Sequence, residues 1–236
     1  MSKSLIIVPT YNEIENIELL LNTVFQYVPD THLLIVDDSS PDGTANEIRR
    51  IMEQYPGQIF LEERAKKEGL GKAYIHGFQW ALKREYVYVF EMDADLSHPA
   101  KKLPEMMHEL QQNDVVIGSR YLDGVLVKNW PLSRILLSRG ASTYVKLITG
   151  LPVRDTTAGY VGYTREALNS LDLNKISFVG YAFQIEMKYK LWKKGFRLKE
   201  IPIVFTNREF GKSKMNGSII WEAIYGVIYL KFKVRK

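Results

Sequence analysis

The chain has 236 residues, 46% hydrophobic and 25% charged, an ordinary globular composition with enough length for one large α/β domain and a sizeable core. It contains no cysteine, which excludes disulfides and thiolate metal sites and suits a cytoplasmic location. The net charge of +5 favours anionic partners such as phosphates, nucleotides or an acidic membrane surface, while no aromatic–basic recognition motif points to nucleic acid.

Met1 to Ser4 has no signal-peptide layout, and no apolar run reaches the roughly 18–20 residues that span a bilayer. Leu5 to Val8 reads as a short apolar strand stopped by Pro9. A helix is expected to start within Asn12 to Asn16, with Ile17, Leu20, Leu21, Val24 and Val28 at helical spacing. Leu33 to Val36 is a second strand, ending in Asp37-Asp38-Ser39-Ser40. Pro41-Asp42-Gly43-Thr44 then caps a helix running through Ile48 and Met52. Ile59 to Leu61 reads as a third strand, and Gly69-Leu70-Gly71-Lys72 opens a helix carrying Ala73, Gly77, Trp80 and Ala81. Tyr86 to Met92 is a fourth strand, Leu103 to Leu110 a helix, and Val115 to Gly118 a fifth strand. This alternation predicts a mostly parallel central sheet with helices on both faces.

The second half is less regular. Tyr121 to Pro131 reads as a long loop, Leu132 to Leu151 as a helix, and Tyr160 to Tyr163 as a strand after the polar loop from Asp155. Phe183 to Trp192 reads as a helix and Leu198 to Phe205 as a strand. Thr206 to Gly217 is polar, basic and glycine-containing, and is expected to order when a ligand binds. Ile219 to Leu230 is apolar at helical spacing and precedes a basic tail, so residues 218–236 fit a helix lying in a membrane interface. The alternative is a helix docked on the body of the protein.

The chemistry concentrates where strands end. Asp93 and Asp95 follow the fourth strand two positions apart, and in an extended chain such side chains face one volume. Two carboxylates there repel unless a cation joins them, and a hard divalent ion with oxygen ligands is the natural occupant. Taken alone, the pair reads equally well as a solvated strand end. Ligands of open α/β sheets bind outside the carboxyl ends of the strands. Pro9-Thr10-Tyr11-Asn12-Glu13, Asp37-Asp38, Asp93-Ala94-Asp95 and Gly118-Ser119-Arg120 all fall there. Carboxylates for a cation beside an arginine for phosphate oxygens describe a site for a metal-chelated phosphate.

Together these motifs, with Gly69-Leu70-Gly71-Lys72-Ala73, Asp155-Thr156-Thr157-Ala158-Gly159-Tyr160 and Arg208 to Met215, resemble the family-2 glycosyltransferases of GT-A fold. The likeness is closest to polyprenyl-phosphate (dolichyl-phosphate) mannose synthases without a transmembrane tail, and it covers nearly the whole chain as one domain. It implies a Rossmann-like GT-A sheet and inverting transfer of mannose from GDP-mannose to a polyprenyl phosphate. It also implies an Mg²⁺ or Mn²⁺ cofactor and peripheral attachment to the cytoplasmic membrane face. By the same resemblance, Pro9, Tyr11, Glu13, Val36 and Asp38 line the nucleotide pocket, while Asp93, Ala94 and Asp95 meet the diphosphate and its metal. Ser97 stands where some members carry a glutamine metal ligand, and its shorter hydroxyl coordinates more weakly. Arg120, Arg134, Arg208 and Lys214 fall at basic positions of the phosphate clamp. Base and sugar depend on a few pocket contacts, which leaves UDP-glucose as the alternative donor and a non-catalytic nucleotide- or lipid-binding subunit as the alternative role. His98 reads better as a cap of the following helix than as a metal ligand.

Overall fold

The structure is a computed structural model that describes residues 3–206 and 225–232. The elements run β1 (Ser4–Thr10), α1 (Ile17–Tyr27), β2 (His32–Asp37), α2 (Thr44–Met52), β3 (Ile59–Glu63), α3 (Leu70–Leu82), β4 (Tyr88–Glu91), α4 (Leu103–Glu109) and β5 (Val115–Ser119). They continue with β6 (Val127–Lys128), α5 (Leu132–Thr149), β7 (Val161–Thr164), α6 (Arg165–Asn169), α7 (Tyr181–Lys193), β8 (Leu198–Pro202) and β9 (Phe205–Thr206). Residues 225–232 are helical.

Seven strands make one sheet in the order β3-β2-β1-β4-β7-β5-β8, and β6 pairs with β9 separately. Every neighbouring pair in the large sheet is parallel except those of β7, which runs antiparallel to both β4 and β5. Strand alternation splits the core in two. Leu5, Ile7, Leu34, Val36, Val115, Ile117, Val161 and Tyr163 face α3, α6 and α7, joined by Val227 and Leu230. Ile6, Val8, Leu33, Ile35, Phe90 and Val116 face α1, α2 and α4. The apolar runs in the parallel strands have this cause, because both faces are covered.

Several local expectations need correction. Pro9 does not stop the first strand, which continues to Thr10. Beyond Ile7 this strand pairs with β2 alone, so the N–H that proline lacks breaks no ladder on the β4 side. The first helix begins at Ile17, because Asn12 adopts φ 58° and the Glu13 carbonyl accepts from the Asn16 and Ile17 amides in a turn. The fourth strand is shorter than expected, with its ordered ladder ending at Glu91. The loop from Tyr121 contains β6, and the expected strand from Leu198 to Phe205 divides into β8 and β9, which belong to different sheets. Pairings of two residues leave no periodic trace. The helix expected to reach Leu151 ends at Thr149, with Gly150 at φ 76° as its left-handed cap.

The antiparallel β7 brings distant segments to one place. Val161, its first residue, sits opposite Glu91 of β4 and Ile117 of β5, so the turn preceding β7 arrives at the same sheet edge as the ends of those strands.

Two helical glycines separate packing from propensity. A methyl group at Gly77 in α3 would lie 2.6 Å from Ile7 Cγ2, whereas one at Gly140 in α5 meets nothing within 4 Å. Gly77→Ala is therefore expected to destabilise by about 1–3 kcal/mol through overpacking. Gly140→Ala is expected to stabilise by about 0.5–1 kcal/mol through helix propensity. Urea unfolding of the two variants against wild type checks the opposite signs.

Candidate active site

At the β1–β2 side of the edge, Asp37 clamps the ends of the first two strands. Its carboxylate accepts from Thr10 Oγ1 at 2.8 Å, the Ser40 amide at 2.9 Å and Ser40 Oγ at 2.6 Å. Asp38 is also buried, with Arg64 Nη1 3.1 Å from its Oδ1 but off the hydrogen-bond axis, so the contact is ionic. Burial pushes the Asp38 carboxyl above its ordinary range, and Arg64 only partly offsets this. Lys67 Nζ lies 3.9 Å from the centre of the Tyr11 ring. The Glu13 amide donates to Thr44 Oγ1 at 3.0 Å, and its carboxylate accepts from Asn16. Pro9 is half-buried, and Val36 is fully buried in the core, so Val36 offers a ligand its main chain only.

The acidic pair is held in a bend and not on an extended strand. Leu96, the residue just after the pair, adopts φ 61°, and the chain bends from Ala94 to Leu96. Tertiary bonds set the positions of the two aspartates instead. Tyr74 on α3 donates its hydroxyl to Asp93 Oδ1 at 2.9 Å. Asp95 Oδ1 accepts from the Ser97 amide at 3.2 Å and from Ser97 Oγ at 2.5 Å. Ser97 thus turns its hydroxyl proton onto Asp95. His98 Nδ1 accepts the Asp93 amide at 3.0 Å, which leaves the proton of the neutral ring on Nε2, 3.9 Å from Asp93 Oδ2. Burial pushes the His98 pKa down against the pull of both aspartates, and its ring stacks on Tyr160 at 4.9 Å. His98 therefore closes the acidic loop, a different task from capping the next helix.

The basic side is built on an ion pair. Arg120, just past β5, donates to Asp155 from its amide at 2.9 Å, Nε at 2.6 Å and Nη2 at 2.6 Å, and Nη2 also reaches Thr157 Oγ1 at 2.8 Å. Asp155 is fully buried. Burial alone would raise its carboxyl, but the Arg120 guanidinium and its hydrogen bonds hold it below the ordinary value. Arg134, in the first turn of α5, lies 4.0 Å from the centre of the Trp130 ring, and Arg120 lies 5.4 Å from the same ring. Phe205 of β9 completes this aromatic wall, 5.3 Å from Trp130. Arg208 and Lys214 lie outside the described residues.

A glycine joins the two halves. A methyl group at Gly159 would sit 3.9 Å from Asp93 Oδ2, 3.8 Å from His98 Cε1 and 3.8 Å from Gln184 Nε2. The turn that carries Asp155 thus leans against the acidic loop. Beneath it runs a network that sequence reading missed. Glu91 accepts from Tyr163 at 3.0 Å and from Gln184, and Lys188 donates to Ala158 O at 2.6 Å and Thr156 O at 3.3 Å. Burial pushes Glu91 up to about 8 and Lys188 down to about 8. A glutamate inside an apolar strand, and a lysine four residues after a glutamine in a helix, were the available signals.

Two carboxylates, oxygen donors only, suit a hard cation such as Mg²⁺ or Mn²⁺. Among the described residues no third His, Cys, Asp or Glu joins them to make a closed protein cage. That is the donor set expected of an ion completing its shell with substrate phosphates and water.

A family model for glycosyl transferase family 2 matches residues 5–172. The chain is 43% identical over 226 residues to the polyprenol monophosphomannose synthase of Mycolicibacterium smegmatis, covering 95% of this chain and 85% of that one. It is also 43% identical over 223 residues to the undecaprenyl-phosphate mannosyltransferase of Micrococcus luteus, covering 94% and 91% respectively. Its fold is similar to that of a mannosyltransferase from Pyrobaculum calidifontis solved with GDP-Man and Mn²⁺, with a TM-score of 0.64 and 19% identity, covering 98% of this chain and 70% of that one.

Removing the buried acid should expose the importance of the pair. Asp155→Asn keeps the size but leaves the Arg120 charge uncompensated, an expected loss of about 3–5 kcal/mol. Because the folded carboxyl lies below its unfolded value of about 3.9, its contribution is complete above that pH and fades as pH falls through the lower folded value. Urea titrations should show the wild-type advantage at pH 7 and its shrinkage in strong acid.

Proposed function

The chain belongs to glycosyl transferase family 2, and from that premise we propose that it transfers mannose from GDP-mannose to the phosphate of a polyprenol. Its sheet is that of the GT-A glycosyltransferases. The observation that carries the reading is the packing of the Asp155 turn, which pairs with Arg120, against Asp93 and His98 of the acidic loop at one sheet edge. The mannose synthase and mannosyltransferase relatives support the sugar and the lipid phosphate. The Pyrobaculum enzyme's GDP-Man and Mn²⁺ support the donor and the ion.

Each residue then takes a task. Asp93 and Asp95 hold an Mg²⁺ or Mn²⁺ that, when bound, neutralises charge on the departing diphosphate. Ser97 orients Asp95 by hydrogen bonding, in place of serving as a ligand itself. Tyr11, Glu13, Asp38, Ala94 and the main chain at Pro9 and Val36 surround the nucleotide, with Arg208 and Lys214 contributing from outside the described residues. Arg120 and Arg134 hold the acceptor phosphate in line with the anomeric carbon. A phosphate monoester, with a second pKa near 6, is already mostly a dianion at neutral pH, so no strong general base is needed. Its oxygen forms the new bond to the anomeric carbon, the bond to the diphosphate breaks with its electron pair, and the centre inverts. Positioning and charge stabilisation supply the rate.

The membrane reading rests on exposed apolar side chains beside cations. Leu132, Leu136 and Leu137 are exposed on the same helix as Arg134 and Arg139, and Tyr225 and Phe232 are exposed on residues 225–232. Val227 and Leu230 of that segment dock on the core, so docking and interface contact are both served by one short helix. Among the described residues no helix is long and apolar enough to cross a membrane.

Asp95→Ala is expected to lower turnover of GDP-mannose with polyprenyl phosphate by about a hundredfold or more, and excess EDTA to abolish it. Retained activity in either case would remove the metal-centred reading. Thermal-shift screening of GDP-, UDP- and dTDP-sugars with Mn²⁺ names the donor, with stabilisation expected from GDP-mannose. Binding to anionic liposomes is expected at low salt and should weaken as salt rises, read by co-sedimentation.

A further inference from the structure

Lys188 is fully buried on α7, yet its hydrogen bonds all go to uncharged groups. Its ammonium donates to four neutral oxygens: Ala158 O at 2.6 Å, Gln184 O at 3.2 Å, Thr156 O at 3.3 Å and Gln184 Oε1 at 3.4 Å. The acid of this region, Glu91, is linked to it by hydrogen bonds through Gln184, whose Nε2 donates to the carboxylate. As packing this is an expensive arrangement, because a buried ammonium gives up its water for carbonyls where an apolar side chain of similar volume would give up nothing.

What the ammonium holds explains the arrangement. The carbonyls of Thr156 and Ala158 flank Thr157, whose hydroxyl accepts from Arg120 Nη2. Asp155, one residue before this stretch, takes the rest of the Arg120 fork, and Gly159, one residue after it, lies against Asp93 and His98. The five-residue turn is therefore gripped by Arg120 from the basic side and by Lys188 from below, and its far end touches the acidic loop. We infer that Lys188 is a positioning residue: by pinning the Thr156 and Ala158 carbonyls it sets the separation between the Arg120 guanidinium and the Asp93–Asp95 carboxylates. Lys188 touches neither donor nor acceptor. It fixes how the group that holds the acceptor phosphate faces the group that holds the departing diphosphate. The inference rests on assigning those two tasks to Arg120 and to the aspartates.

Lys188→Met removes the ammonium and keeps the length of the side chain. Because Glu91 and Asp155 then lose the favourable field of that ammonium, a second variant, Glu91→Gln with Lys188→Met, removes the Glu91 carboxyl as well, while Gln184 and Tyr163 keep a partner and Asp155 keeps Arg120. Glu91→Gln alone serves as control and is expected to stay near wild-type turnover. Both lysine variants leave the Thr156 and Ala158 carbonyls without that donor, so melting temperatures some degrees below wild type are expected, with the double variant spared the added cost of Glu91 losing the ammonium. Their kcat is expected to fall by roughly ten- to a hundredfold, with the donor KM changed by no more than about twofold, the pattern of lost alignment. A merely structural lysine would lower the melting temperature and leave kcat per folded molecule unchanged, so kcat is the readout that decides.

The comparison uses whichever nucleotide sugar the wild-type protein turns over, so failure of the GDP-mannose reading shows in the wild type and failure of this inference only in the variants. A kcat for the double variant within about twofold of the Glu91→Gln control would overturn the proposal. So would loss of the fold in both lysine variants, since a scaffold that cannot form without the lysine leaves it no separate positioning role.

Discussion

The site depends on one buried ion pair. Arg120 and Asp155 come from segments 35 positions apart, and both are withdrawn from water. A guanidinium in such a place is costly unless a carboxylate meets its fork in the plane, and Asp155 does so through Nε and Nη2 together. The Asp155 amide in turn donates to Glu200 Oε1 at 2.9 Å, which ties the turn to β8. Three neighbouring strands of the sheet, β7, β5 and β8, are thus stitched together at the edge where the chemistry is expected. The pairing of Arg120 fixes the fold locally, and in the proposed function the same cation would set where an anion sits.

The acidic half solves the opposite problem. Two aspartates two residues apart repel, so whatever orients them must do so without adding charge of its own sign. Neutral donors take that part: a tyrosine hydroxyl on Asp93, a serine hydroxyl and amide on Asp95, and a neutral histidine bracing the main chain at Asp93. Such partners orient carboxylates without quenching their charge. The negative potential that remains would suit a divalent cation, and Gly159 packs beside Asp93 without a side chain of its own. The tension between the halves is resolved by geometry, because the antiparallel β7 delivers the Asp155 turn between the ends of β4 and β5.

Much of this was legible in the residues. Parallel strands covered on both faces appear as unbroken apolar runs, so Leu5–Val8, Leu33–Val36 and Val115–Gly118 stood out, and the polar clusters after them marked the site edge. What stayed hidden was whatever depends on contacts distant in sequence. The two-residue pairing of β6 with β9, which brings Phe205 to Arg120, has no local signature. The bend from Ala94 to Leu96, with Ser97 and His98 folded back onto the aspartates, is set by contacts that the spacing of Asp93 and Asp95 does not carry. Arg208, Lys214 and the segment expected to order on ligand binding fall outside the described residues, so for them the reading stands on sequence alone.

Stability and chemistry occupy different parts of the molecule. The two apolar clusters on either side of the sheet contain almost all of the large buried aliphatic side chains, and burial of that surface is the main favourable term in folding. Asp37, Asp38, Glu91, Asp95, Arg120 and Asp155 are buried as well, but every one lies at or just beyond the carboxyl end of a strand or on the turn that meets those ends. Each costs desolvation that the clusters must offset, which explains why Asp38 and Glu91 bind protons more readily than free carboxylates while Asp155, met by a full guanidinium fork, does not. The contrast follows the partners: Arg120 holds Asp155 as an anion, whereas burial raises Glu91, which accepts hydrogen bonds from neutral donors only. A substitution at the edge therefore acts through charge and its partner, as Asp155→Asn does on Arg120, whereas one in either cluster acts through packing.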